Sequence, residues 1–258
     1  MEKFVNCTCC RMKYITKYKS PNYNSRQNSK IKLIIIHYTA LKNIEDAISY
    51  LCNKEKKVSS HYLISQNGTA YNLVDDKFRA WHAGKSFWQG ITDINSVSIG
   101  IELDFSPYGT NNNFSFKMMF SLKLLINKIQ KKYKISKKNV LAHSDIAPFR
   151  KKDPGKYFPW KSLSKSNIVQ NFQNLSYSDK EIIEKWFNIN NINSKKEKII
   201  FALSLIGYDT RQVYKKPRLY NKLISAYNLR YLNHVDKKNN LIYDAVIKHL
   251  FNFILTKN

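Results

Sequence analysis

Two histidines close apolar, strand-like runs: His37 in "IKLIIIHYT" and His143 in "KNVLAH". The second opens the run "HSDIAPFRKKDPGKYFPW", which adds Asp145, Asp153, three consecutive cations and an Asp-Pro-Gly turn. Neutral imidazoles and carboxylates are metal donors. A catalytic zinc commonly takes three such protein ligands and leaves one position for water, whose pKa falls to about 7. His37 and His143 can supply two ligands, and either Asp145 or Asp153 the third. Spacing alone leaves both open. Local backbone favours Asp153, because Pro154 restricts the residue before it to extended conformations and Gly155 permits a sharp turn. Asp145 can instead bond to its own loop, as Asp does in turns. A lone strand-end histidine is usually an ordinary side chain; it is the pair, together with the Asp-Pro-Gly loop, that points to a metal. His61 and His82 fall in the same half of the chain. His234 and His249 have no acidic or cysteine companions at ligand spacing and are expected to be structural or exposed.

The elements that must position these groups follow from periodicity. "IKLIIIHYT" is a continuous β-branched run, which reads as a buried strand. "NIEDAISYLCN" has helical spacing of its apolar residues. "HYLISQNGTAYNLV" reads as two strands around Asn67-Gly68, a strong hairpin signal. "SVSIGIELDF" alternates as a strand and carries Glu102 near its carboxyl end. "FKMMFSLKLLINKIQKKY" places Met119, Leu122, Leu125, Ile126 and Ile129 on one helical face. Strands and helices alternate, so the expected class is α/β, a mixed central β-sheet flanked by helices. His37, Glu102 and His143 all fall at or near carboxyl ends of strands, where sites gather in such folds. After "FPWKSL" the pattern turns wholly helical, with Gly207 where one helix would stop and Pro217 where the next would begin. The expected organisation is an irregular segment over 1–25, an α/β domain over 26–170 and a small all-α module over 176–258.

Lys and Arg outnumber Asp and Glu by 44 to 18, a formal charge of +26. That charge favours adhesion to anionic polymers. The basic residues are scattered and form no nucleic-acid motif, so no nucleic-acid partner is expected. No apolar run reaches the ~18 residues of a membrane span. "CTCC" (Cys7, Cys9, Cys10) is too tight for a disulfide framework, and with Cys52 it offers no zinc-finger spacing. "MEKFVNC" has no apolar stretch that reads as a signal peptide.

The blocks "SPNYNSRQ", "IIIHYTA", "SSHYLISQNGTAYNLV", "AWHAGKSFW", "SVSIGIEL" and "AHSDIAPFRKKDPGKYFPW" occur in that order over roughly residues 20–165. Together they resemble the zinc-dependent N-acetylmuramoyl-L-alanine amidases of the AmpD-like type. The resemblance implies one zinc ion per chain, held by His37, His143 and Asp153. It implies Glu102 as the catalytic acid/base and Lys151, two residues before the ligand Asp, as the transition-state cation. It also matches His61 and His82 to positions in the family's pocket, read here with Trp81 as substrate-binding. The implied reaction is hydrolysis of the amide between N-acetylmuramic acid, or its 1,6-anhydro form, and L-alanine of peptidoglycan stem peptides. The alternative is a peptidoglycan-recognition protein of the same fold that does not cut. The helical tail more faintly resembles a peptidoglycan-binding domain. That tail argues for the cell envelope, periplasm or medium, while the lack of a legible signal peptide leaves the cytoplasm open. A monomer is expected, as is a fragment ending near residue 175 that cleaves soluble muropeptide but binds sacculi poorly.

Overall fold

In the computed structural model, residues 12–109, 113–170, 176–232 and 239–255 are described. Cys7, Cys9, Cys10 and His234 lie outside them. The strands are β1 (Tyr14–Ile15), β2 (Tyr23–Ser25), β3 (Leu33–Tyr38), β4 (Tyr62–Ile64), β5 (Ala70–Asn72), β6 (Phe78–Ala80), β7 (Ser98–Leu103) and β8 (Val140–Ala142). The helices are α1 (Ile44–Leu51), α2 (Ile94–Val97), α3 (Phe116–Tyr133), α4 (His143–Ile146), α5 (Trp160–Lys165), α6 (Tyr177–Ile189), α7 (Lys195–Ile206), α8 (Leu219–Tyr231) and α9 (Asn239–Leu255).

Six strands form one mixed sheet in the order β1-β5-β4-β7-β3-β8, and β2 pairs with β6 in a separate two-stranded ribbon. Only β4 and β5 run antiparallel within the large sheet, joined through Asn67-Gly68 as the hairpin signal required. The segment expected to be irregular is not wholly so. Tyr14 and Ile15 pair with Ala70 and Tyr71, and Tyr23–Ser25 pair with Phe78–Ala80, so the aromatic residues of this stretch find strand partners.

Period-2 alternation divides the central strands between two cores. Ile34, Ile36, Ile99, Ile101, Val140 and Ala142 face α3 and α5, where Leu122, Leu125, Ile126 and Leu163 cover them. Each fully buried Val, Leu or Ile among them stabilises the fold by about 1.5–3 kcal/mol relative to exposure. The α3 helix begins where the Ser115 side chain accepts from the Met118 backbone N–H, and ends on Lys134 in the left-handed region.

On the opposite face, Leu33, Ile35 and Leu141 belong to one continuous core with Phe187, Leu203, Leu223, Val246 and Leu250 of the C-terminal helices. Those helices are therefore not packed as a separate body. A chain ending near residue 175 would uncover the apolar face of β3 and β8, which weighs against the expectation that such a fragment works alone. Among the described residues, no helix is long and apolar enough to cross a membrane.

Candidate metal centre

Parallel pairing sets His37 of β3 beside Glu102 of β7, and Ile36 beside Ala142 of β8. His143, next after Ala142, opens α4 rather than ending the strand. His37, Glu102 and His143 thus reach one level of the sheet from three neighbouring strands. The ligand loop then folds back, with the Ser144 N–H donating to the Asp153 carbonyl at 3.0 Å.

The sequence "SIGIE" explains how the face is kept clear. Ile99, Ile101 and Leu103 enter the α3 core, while Ser98, Gly100 and Glu102 point to the histidine side. A Cβ on Gly100 would lie 2.5 Å from Cγ of His82, so only glycine lets that ring lie against the strand.

Three atoms converge. His37 Nδ1 is 2.9 Å from His143 Nδ1 and 3.0 Å from Asp153 Oδ2, and His143 Nδ1 is 2.8 Å from Asp153 Oδ2. The surrounding hydrogen bonds locate the protons. The Ser98 hydroxyl donates to the Ile94 carbonyl, so its oxygen accepts from His82 Nε2–H. His82 Nδ1 is then an acceptor and takes the proton of His37 Nε2 at 3.0 Å. His143 Nε2 faces the Ala83 carbonyl at 3.1 Å and donates to it. With those protons on Nε2, the neutral forms of the two rings turn unprotonated Nδ1 atoms toward each other and toward a carboxylate oxygen. Three convergent lone pairs repel, and a cation is what such a donor set fits. Tetrahedral zinc ligands at 2.0–2.1 Å sit about 3.3–3.4 Å apart, close to the spacing found here. Among the described residues this is the one cluster of three or more His, Cys, Asp or Glu side chains suited to a metal.

Electrostatics agree. Burial first, then neighbouring His143, hold His37 at about 4, so it is a neutral ligand at pH 7. Burial would raise Asp153, but positive charge on the two imidazoles outweighs it and holds the carboxyl far below the usual range, so a cation at this point would likewise favour the carboxylate. Burial and the Asp153 charge push Glu102 up to about 8, with Lys151 opposing. Glu102 Oε2 is buried and has no hydrogen-bond partner among the described residues, a carboxyl oxygen beside the ligands.

A cavity of about 350 Å³ opens over these groups, lined among others by His37, Glu102, Lys151, Asp153, Trp81 and Tyr50. A larger cavity of about 730 Å³, with Lys30, Lys32, Lys77 and Lys134 on its walls, lies at the opposite ends of β3 and β8, away from the ligands.

The structure parts the remaining expected site residues. His61, read as substrate-binding, is wholly buried and does not line the cavity. It accepts from the Gly100 N–H and lies against Arg26 and the Phe78 carbonyl, so it braces the sheet. His82 lines the cavity, but both its ring nitrogens are engaged by His37 and Ser98, and it orients the ligand His37. Trp81 borders the cavity with its indole N–H on Asn24. Trp88 and Trp160 are core residues. Asp145, the alternative third ligand, points away from the cluster: it is 0% exposed and bonded to Tyr208 and Arg230 of the C-terminal region. No local sequence signal marks those last two partners, which are distant in the chain.

Comparison with known proteins agrees with this geometry. Residues 27–156 match the Amidase_2 family, described as N-acetylmuramoyl-L-alanine amidase. The chain is similar to N-acetylmuramoyl-L-alanine amidase AmiD of Escherichia coli, 39% identical over 152 residues, or 54% of each protein. It thus spans about half the length of that relative. It is also similar to 1,6-anhydro-N-acetylmuramyl-L-alanine amidase AmpD of Haemophilus influenzae, 37% identical over 162 residues, 55% of this chain and 86% of AmpD. The fold superimposes on E. coli AmiD in complex with anhydro-N-acetylmuramic acid-L-Ala-D-gamma-Glu-L-Lys, with a TM-score of 0.69 and 26% identity over 94% of this chain and 95% of the other.

Proposed function

The chain belongs to the Amidase_2 family of N-acetylmuramoyl-L-alanine amidases, and we propose on that footing that it hydrolyses the amide between N-acetylmuramic acid, or its 1,6-anhydro form, and L-alanine of a stem peptide. The observation that carries the reading is the set of three inward lone pairs beside an unpartnered glutamate oxygen. His37, His143 and Asp153 would hold one zinc ion, which when bound polarises a carbonyl and makes water acidic enough to be a nucleophile near neutrality.

The other groups do the proton and charge work. Glu102 Oε2 accepts the proton of the attacking water, and the resulting carboxylic acid gives it to the leaving L-alanine nitrogen. Burial and Asp153 raise this carboxyl, and a bound cation would draw it back toward neutrality, the range that suits both halves of that cycle. Lys151 presents a positive charge from the cavity wall to the negative charge that develops on the amide oxygen. His82 keeps the His37 proton on Nε2, away from the ligand position.

The C-terminal helices are proposed to add a peptidoglycan-binding surface, which the +26 charge supports for an anionic polymer. The cell envelope is the compartment that fits this use. Sacculus pull-down tests the surface, and protein left in the supernatant would count against it. Catalysis itself is tested by the appearance of new L-alanine α-amines when protein and anhydromuropeptide are incubated, with Glu102→Gln as control. Retention of muropeptide without new amines would instead assign a recognition protein.

A further inference from the structure

Asp145 sits two residues after the ligand His143, and both its oxygens are held, by two hydrogen bonds and an ion pair. Its Oδ2 accepts from the Ala142 N–H at 2.8 Å and pairs with Arg230 Nη1 at 3.0 Å. Its Oδ1 accepts from the Tyr208 hydroxyl at 2.6 Å. Arg230 also donates from Nη2 to the Val140 carbonyl at 2.6 Å, and its guanidinium lies 4.1 Å over the Trp160 ring. One side chain of α8 therefore grips both ends of residues 140–160, the segment that supplies two of the three ligands. Tyr208 is brought in by the turn after α7. The Gly207 carbonyl accepts from the Gln89 N–H at 2.9 Å, and a Cβ on Gly207 would lie 2.7 Å from the Gln89 side chain. The Tyr208 ring then packs edge-on against Trp88 at 5.0 Å.

A buried ion pair is a poor way to hold two apolar surfaces together, because desolvation offsets most of its attraction. The shared core already joins the helices to the sheet. What the charged, hydrogen-bonded set adds is orientation of the α4 backbone, on which the direction of His143 Nδ1 depends.

We propose that Tyr208 and Arg230 are positioning residues for the metal centre: acting through Asp145, they fix the turn that presents His143, so the C-terminal helices set the affinity of the site for its metal. This rests on the reading that His37, His143 and Asp153 hold zinc. Partners one step removed from a metal commonly change affinity by about 10–100-fold, and the same range is expected here.

The test uses the full chain and three variants: Tyr208→Phe, which deletes one hydroxyl; Arg230→Lys, which keeps the charge but loses the fork; and Leu223→Ala, a core truncation in the same helix that removes none of the clamp's polar groups. The zinc Kd is measured by competition with a chromophoric chelator, and folding is followed by circular dichroism and Tm. Tyr208→Phe and Arg230→Lys should weaken zinc by roughly 10-fold or more, while Leu223→Ala should lower Tm and leave Kd unchanged. Parental Kd in the first two, or a Kd that follows Tm in all three, overturns the proposal. Should a variant fail to fold, hydrogen exchange on the parent alone still decides the question. Affinity coupling is reciprocal, so zinc should slow amide exchange around Tyr208 and in α8. Protection confined to the ligand loop and strand ends would contradict the clamp. A parent chain that binds no zinc would fail the amidase reading itself, a different result from variants that bind as the parent does.

Discussion

The chemistry of the site is set by where a few protons sit. His37 and His143 each spend one ring nitrogen on a donated hydrogen bond, which leaves the other for a cation. His37→Ala and Asp153→Ala should therefore lose zinc and turnover together, measured by metal content and muropeptide cleavage on the same samples. Glu102→Gln should retain zinc and lose about 10²–10⁴ in rate, the usual contribution of a positioned acid/base. Lys151→Met should cost about 10²–10³ in kcat, as for other lost oxyanion donors. Glu102 also predicts a pH dependence. With chelator present, its carboxyl is pushed up to about 8 by burial and by Asp153. An unfolded glutamate ionises near about 4.3. Between those values the unfolded chain binds fewer protons than the folded one, so stability falls as pH rises and levels above the folded pKa. Chelated parent should lose stability relative to Glu102→Gln across that window in urea titrations. A difference that stays flat with pH would remove the raised pKa from the account. Restored zinc should draw the carboxyl pKa down, because a nearby cation favours its charged form.

At the scale of elements, strand register brings the residues together, and alternation keeps the face open. Gly100 is the tightest point, since its missing Cβ is the space His82 occupies. Gly100→Ala should destabilise the protein by about 1–3 kcal/mol through overpacking. It should also weaken zinc by displacing the ring that orients His37. Unchanged stability in urea unfolding would mean the ring can move aside without consequence. Much of this level is legible in the sequence. The apolar run to His37, the alternation to Glu102, the hairpin at Asn67-Gly68 and the α3 face each report a local period, and local periods survive into the fold. Asp145 and Asp153 are not separated by spacing. What separates them is Tyr208 and Arg230, whose contacts form only after the chain has closed on itself. The roles of His61 and His82 escape the sequence for the same reason: a motif names the neighbourhood, whereas the Gly100 N–H and His37 Nε2 that occupy their ring nitrogens come from other strands.

For the whole molecule, helical periodicity reveals the C-terminal helices but not what they cover. Their apolar residues and the outer face of β3 and β8 form one core, so a chain ending near residue 175 should lose cooperative unfolding and expose a dye-binding apolar surface. A 1–175 fragment that unfolds cooperatively at the parent's Tm would show that the sheet does not need this cover. The same packing places α8 against the segment bearing His143 and Asp153, which ties the metal centre to a region read from sequence as a binding module alone. The most direct test of the central claim is mass spectrometry of purified anhydromuropeptide incubated with the full chain, with chelator, and with chelator followed by zinc. Free stem peptide that disappears on chelation and returns with zinc is the predicted result. An uncut muropeptide after incubation with folded, zinc-loaded protein would contradict it.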